Sequence, residues 1–228
     1  MIRKKKEFYG GLGLFVAFLV ILVIVFSPVF GGQNALEYLD SLYNSISKGS
    51  AYYVPDVKKE SEKFLGNRIE VSLKMKDSKE ADEVAVLFRA SGADATIASS
   101  ELKISGDLGK ILEGCLADCD AMYHNKGDRI SGKYGRDEKK ALYHWWQAFK
   151  AMDKGLKKEK KFKEADVVAL ANKKAVETSY NYYGIQPQKV TERLGTVIFS
   201  LVFYVIYTLW YGFAIMFMFE GWGLRLGH

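Results

Sequence analysis

Two runs without a single charged side chain stand near opposite ends of this sequence: residues 10–32, GGLGLFVAFLVILVIVFSPVFGG, and residues 195–219, GTVIFSLVFYVIYTLWYGFAIMFMF. At about 1.5 Å per helical residue, each is longer than the roughly 30 Å hydrocarbon core of a bilayer. Both are expected to be transmembrane helices. A cleavable signal peptide is the competing reading of the first, because Arg3, Lys4, Lys5 and Lys6 precede it. The run is longer than the 7–15 residues usual for a signal core, and SPVFGGQNA offers no small-x-small cleavage site, so an uncleaved anchor is expected. Pro28 near its outer end can stop or kink the helix there.

The formal charge of +6 would suit a nucleic-acid binder if it were spread over the folded part. It is not: the four cations at residues 3–6 supply much of it, and residues 33–192 are nearly balanced. The excess is a topology signal, since basic residues flanking a first span stay in the cytoplasm. Arg225 and His228 flank the second span on the same side, against Lys189 and Arg193 on the other. The expected layout is a cytoplasmic basic tail (1–9), transmembrane helix 1 (10–32), an extracytoplasmic α+β domain (33–192), transmembrane helix 2 (195–219) and a short cytoplasmic tail (220–228). The expected partners are the lipid of a cell's inner membrane and other membrane subunits, with no nucleic acid.

Within 33–192 the hydrophobic periodicity marks the elements. Leu36, Leu39, Tyr43 and Ile46 repeat at helical spacing, and Gly49 offers a stop. AYYVP reads as a short extended piece before a helix over 56–65. Ile69, Val71, Leu73 and Met75 alternate with polar residues, which predicts a half-buried strand. Asp77 or Ser78 can cap a helix carrying Ala81, Val84, Ala85 and Phe88, with Gly92 beyond its end. A second strand is expected over 94–105, making a right-handed βαβ unit. So small a sheet needs covering helices, expected over 107–123, 137–158 and 162–183. In the second of these Leu142, Trp145, Phe149, Met152 and Leu156 form one stripe.

Candidate sites are few. Cys115 and Cys119 continue the apolar stripe Leu108, Ile111, Leu112, Met122, so packing alone accounts for them. A bond between the two sulfurs, or with a partner's, is open in an oxidising compartment, and so is a metal site that adds His124. C-x-x-C and C-x-x-C-H are absent, which removes the usual signatures of thioredoxin-type redox and covalent haem. His144 beside the apolar stripe reads as a hydrogen-bonded boundary residue. KISGDLGK has the context of an anion site at a helix start but not P-loop spacing; Gly106 and Asp107 read better as turn and cap. No hydrolase or calcium motif is present, so no catalytic residue, metal or cofactor is expected.

The second span is rich in aromatics, and Tyr204, Tyr207 and Tyr211 bring hydroxyls to a depth where lipid offers no hydrogen bond. Their three- and four-residue spacing predicts one face turned towards another helix. Gly10, Gly11 and Gly13 can permit close helix contact at the inner end of the first span, although the spacing is not G-x-x-x-G. The function expected is that of a non-catalytic accessory or scaffold subunit of a membrane complex. An extracytoplasmic ligand sensor and a thiol or metal protein using Cys115 and Cys119 are the alternatives.

Overall fold

A computed structural model describes residues 2–224; the expectations placed on Arg225 and His228 fall outside them. In chain order the elements are α1 (Lys5–Phe26), α2 (Ala35–Ser50), α3 (Val54–Glu62), β1 (Arg68–Lys74), α4 (Ser78–Ala90), β2 (Asp94–Ala98) and β3 (Glu101–Asp107). There follow α5 (Leu108–Tyr123), α6 (Asp128–Tyr134), α7 (Glu138–Lys158), α8 (Phe162–Ala171), a π-helical turn (Asn172–Val176), α9 (Glu177–Tyr182) and α10 (Leu194–Trp222). They fall into two compact units, one made by the chain up to Gly49 together with the chain from Pro187, the other by Ser50–Gln186.

The first unit holds α1, α2 and α10. With 22 and 29 residues, α1 and α10 reach about 33 and 43 Å at 1.5 Å per residue, so both are long and apolar enough to cross a bilayer. Only Gly11 and Phe18 of α1, and Ala214 and Gly221 of α10, are buried. α1 stops two residues before Pro28: a residue preceding proline is driven out of the helical region, and Ser27 is extended (φ −82°, ψ 148°). α2 opens with a reciprocal cap, in which the Asn34 side chain accepts from Glu37 N (2.9 Å) and the Glu37 carboxylate accepts from Asn34 N (3.1 Å). It runs one residue past Gly49, and its buried positions are Leu42, Ser45 and Lys48. Leu36 and Tyr43, expected on the buried stripe, are exposed.

The second unit is a three-stranded sheet covered by helices, with strand order β1-β3-β2 and both pairings antiparallel. The single strand expected over 94–105 is in fact a hairpin, β2 and β3, turned at Ser99–Ser100. Ser99 takes the left-handed conformation (φ 59°) that this tight turn demands. The expected βαβ unit is accordingly split: β1 and β2 run in the same direction with β3 inserted antiparallel between them.

Three of the covering helices, α4, α5 and α7, start where a carboxylate can take up a free N–H group. Asp77 accepts from Glu80 N (2.8 Å), Asp107 from Lys110 N (3.2 Å) and Asp137 from Lys140 N (2.8 Å). Beneath them lie Ile69, Val71 and Leu73 of β1 with Leu102 and Ile104 of β3, all almost inaccessible. The stripe of α7 from Leu142 to Leu156 is fully buried against them. Gly155 lets α7 approach β1 closely: a Cβ there would lie 2.5 Å from Val71 Cγ2. Tyr53, Val54 and Pro55 are not extended but open α3, with the proline in its first turn, where a missing N–H costs nothing.

Candidate functional site

In the first unit α1 and α10 form an antiparallel hairpin. Phe8 meets Gly221, Gly11 meets Ala214 and Met218, and Phe18 stacks on Tyr207 with ring centroids 4.4 Å apart. The contacting positions of α1 (8, 11, 15, 18) are spaced three, four and three, the repeat that keeps one helix face on its neighbour over several turns. A Cβ at Gly11 would come within 2.7 Å of Met218 N and 2.8 Å of Ala214 O. Gly10 and Gly13 face nothing within 4 Å, so of the three glycines only Gly11 makes the close approach. Trp210 Nε1 donates to Leu14 O (3.1 Å), and the Arg3 and Lys4 N–H groups both reach Gly221 O (3.0 Å), a carbonyl left open at the end of α10.

The three tyrosines lie within about 60° of one another on α10 but are not equally covered by α1. Tyr207 and Tyr211 turn to α1, where Tyr211 lies 5.1 Å from the Phe18 ring, but Tyr204 is 68% exposed. The seam on α10 runs through Tyr207, Ala214 and Gly221, and Tyr204 stands at its edge, about 60° of helix rotation from Tyr207. Equal spacing thus concealed two environments. The Tyr207 hydroxyl is enclosed without a hydrogen-bond partner, and among the described residues the Tyr204 hydroxyl has none either.

In the second unit α5 carries Cys115 and Cys119 on consecutive turns, both free, fully buried and with sulfurs 3.9 Å apart. Burial first, then the neighbouring Cys119 thiol and the Asp118 carboxylate, pushes the Cys115 thiol well above its ordinary pKa. A thiol so protonated and sealed is neither a nucleophile nor a ready metal ligand. His124 is not brought to the sulfurs: it caps the end of α5 at the surface, with Nδ1 2.9 Å from Asp120 O. No cluster of three or more His, Cys, Asp and Glu side chains suited to a metal occurs among the described residues.

Asp118, which sequence reading passed over, is the polar centre beside the thiols. Its buried carboxylate accepts from Tyr134 Oη (2.5 Å), Trp145 Nε1 (2.9 Å) and Lys133 Nζ (2.8 Å), tying α5 to α6 and α7. Burial and that carboxylate raise the Tyr134 hydroxyl's pKa strongly, keeping it a donor. His144 is buried with Nε2 3.2 Å from Glu83 Oε2, and burial lowers its pKa, so it is held neutral. At the start of α5 the Asp107 carboxylate also takes Gly66 N (2.8 Å), so the protein's own anion occupies that helix end.

A second grouping missed in the sequence joins Tyr52, Asp120 and His124. The Tyr52 hydroxyl donates to the Asp120 carboxylate, whose Oδ1 is 3.3 Å from His124 Nδ1, beside a cleft of about 370 Å³ reaching Lys58 and Glu113. Burial and Asp120 push the Tyr52 hydroxyl up to about 12, so it stays protonated and supplies no phenolate nucleophile. Asp120 and His124 are a helical i, i+4 pair visible in sequence; nothing local points to Tyr52. No known family matches this chain, and no curated protein or solved structure matches it.

Proposed function

We propose that the chain is a non-catalytic accessory or scaffold subunit of a larger membrane complex, held in the bilayer by the α1–α10 hairpin. The observation that carries this reading is the outward Tyr204. Ten residues into α10, it lies about 15 Å along the helix, a third of its length and well inside the charge-free run. A hydroxyl left bare in hydrocarbon costs on the order of several kcal/mol, so this face calls for a polar neighbour on another helix. The hairpin supports the proposed topology: antiparallel spans bring residues 2–4 and 223–224 to one end, and the basic Arg3, Lys4, Lys5 and Lys6 favour the cytoplasmic side for it. Ser50–Gln186 is then extracytoplasmic, periplasmic or exterior. The sealed state of Cys115 and Cys119 supports packing over thiol or metal chemistry.

The test is co-purification of the tagged chain from its own membranes in mild detergent, with Tyr204→Phe and Tyr204→Leu alongside. A stoichiometric membrane partner retained by the wild type and weakened in both variants is expected. A monodisperse monomer, with Ser50–Gln186 resistant to protease in intact spheroplasts, would overturn both the partner and the topology.

A further inference from the structure

A cleft of about 530 Å³ runs along the outer edge of β1, between that strand and α7. Its floor includes Met75, Trp146 and Gly155, and its rim carries Lys74, Lys150, Lys154 and Lys158. The last three recur every fourth residue, placing their ammonium groups on one side of α7 at about 6 Å intervals. Lys150 Nζ is held 4.5 Å over the Trp146 ring. Among the described residues none of these four lysines pairs with a carboxylate, whereas neighbouring Lys157 and Lys161 do. The one carboxylate in the cleft, Glu80, is engaged by Lys76 N and Gln147 Nε2 (2.6 Å each).

The strand beneath the lysines is unpaired on this side, since β1 ends the sheet order. Met75 N donates to Ser100 O on the β3 side, and strand alternation therefore turns the backbone groups of Ser72 and Lys74 to the free edge. Ser72 lines the cleft, and its carbonyl oxygen lies 3.6 Å from where a Gly155 Cβ would stand, so it faces α7 at the point of closest approach. The site thus offers backbone donors and acceptors at strand spacing beneath a row of uncompensated cations. An inorganic polyphosphate carries acceptors alone and cannot donate to Ser72 O, and a nucleic acid has no N–H groups at strand spacing. An extended acidic peptide supplies both N–H groups and carboxylates.

We infer that this cleft receives an acidic, extended segment of a partner protein, which adds as a strand along β1 with its carboxylates on Lys150, Lys154 and Lys158. This deepens the accessory-subunit reading and rests on it for the source of the segment. Lysines on a sheet edge also guard against unwanted pairing, so the test must separate a strand site from a guarded edge.

The probe is a labelled, end-blocked peptide of four Glu-Val repeats, titrated by fluorescence anisotropy into the purified full chain in neutral detergent. Lys150→Glu, Lys154→Glu and Lys158→Glu combined should weaken binding by well over about tenfold, since opposed charges then meet like charges. N-methylation of the valines, which deletes N–H groups without altering charge or protein, should weaken it by about tenfold. Failure of the Glu-Val peptide to bind, equal binding of the N-methylated peptide, or unchanged affinity in the folded charge-reversed variant would overturn the proposal. Because binding is read on the isolated chain, that outcome is independent of whether wild-type membranes yield a partner.

Discussion

Replacing Asp118 by alanine tests the polar centre of Ser50–Gln186. The carboxylate is 4% exposed and serves Tyr134 Oη, Trp145 Nε1 and Lys133 Nζ. Trp145 is fully buried and Tyr134 nearly so, and each donor left without an acceptor costs about 1–3 kcal/mol. Lys133 keeps about a third of its side chain in water and can turn outward, so its loss adds little. The two donors together cost about 2–6 kcal/mol, and the desolvation cost of the carboxylate, recovered on its removal, trims the total to about 2–5 kcal/mol. For a unit of this size that lowers the melting temperature by roughly 10–20 °C. The assay is thermal unfolding of the full chain in detergent, followed by tryptophan fluorescence. Adding Tyr134→Phe to Asp118→Ala should restore about 1 kcal/mol, because it deletes one orphaned donor, while in the wild type the same change should destabilise. A loss under about 1 kcal/mol for Asp118→Ala, or additive effects in the double variant, would refute the idea that this carboxylate holds α5, α6 and α7 together.

Three further outcomes follow from the geometry. Gly11→Leu should loosen the hairpin by about 1–3 kcal/mol or more, because its Cβ meets the backbone of α10, whereas Gly10→Leu should be neutral; stepwise SDS denaturation of the two variants checks this. Tyr207→Phe should leave the hairpin unchanged or stabilise it by about 1 kcal/mol, since its enclosed hydroxyl has no partner, and destabilisation in the same SDS assay would reveal one. Stability of the second unit should fall on acidification from about pH 6.5. His144 has a lowered folded pKa, so below 6.5 the unfolded chain binds more protons, and the stability present above that value is lost as pH falls through the folded pKa. Glu83, also lowered by its bond to Lys140, extends the loss below about 4.5, and His144→Gln should flatten the upper part of a melting-temperature profile against pH.

What could be read from the sequence, and what could not, divides along a physical line. Helix starts at Asp77, Asp107 and Asp137 and the buried stripes of α5 and α7 were legible, because a cap and an apolar period are local properties of the chain. The β2–β3 turn was not: Ser99 adopts a left-handed conformation that glycine or asparagine normally signals, so two strands read as one. α6 was invisible for a related reason, being seven residues closed by Gly135 (φ 64°) inside a stretch that resembles a loop. The tyrosines of α10 show the limit of periodicity. Spacing groups residues into faces but does not say which face the neighbouring helix takes, and that depends on where Gly11 permits the closest approach. Asp118 and Tyr52 show the same limit for polar groups, since their partners lie on other elements, up to 68 residues away. The charges of α7 belong with them: Lys150, Lys154 and Lys158 look like an ordinary solvated face until the free edge of β1 is set beside them. Only the fold, by ending the sheet at β1 and closing α7 onto it through Gly155, sets that charge pattern beside a free strand edge.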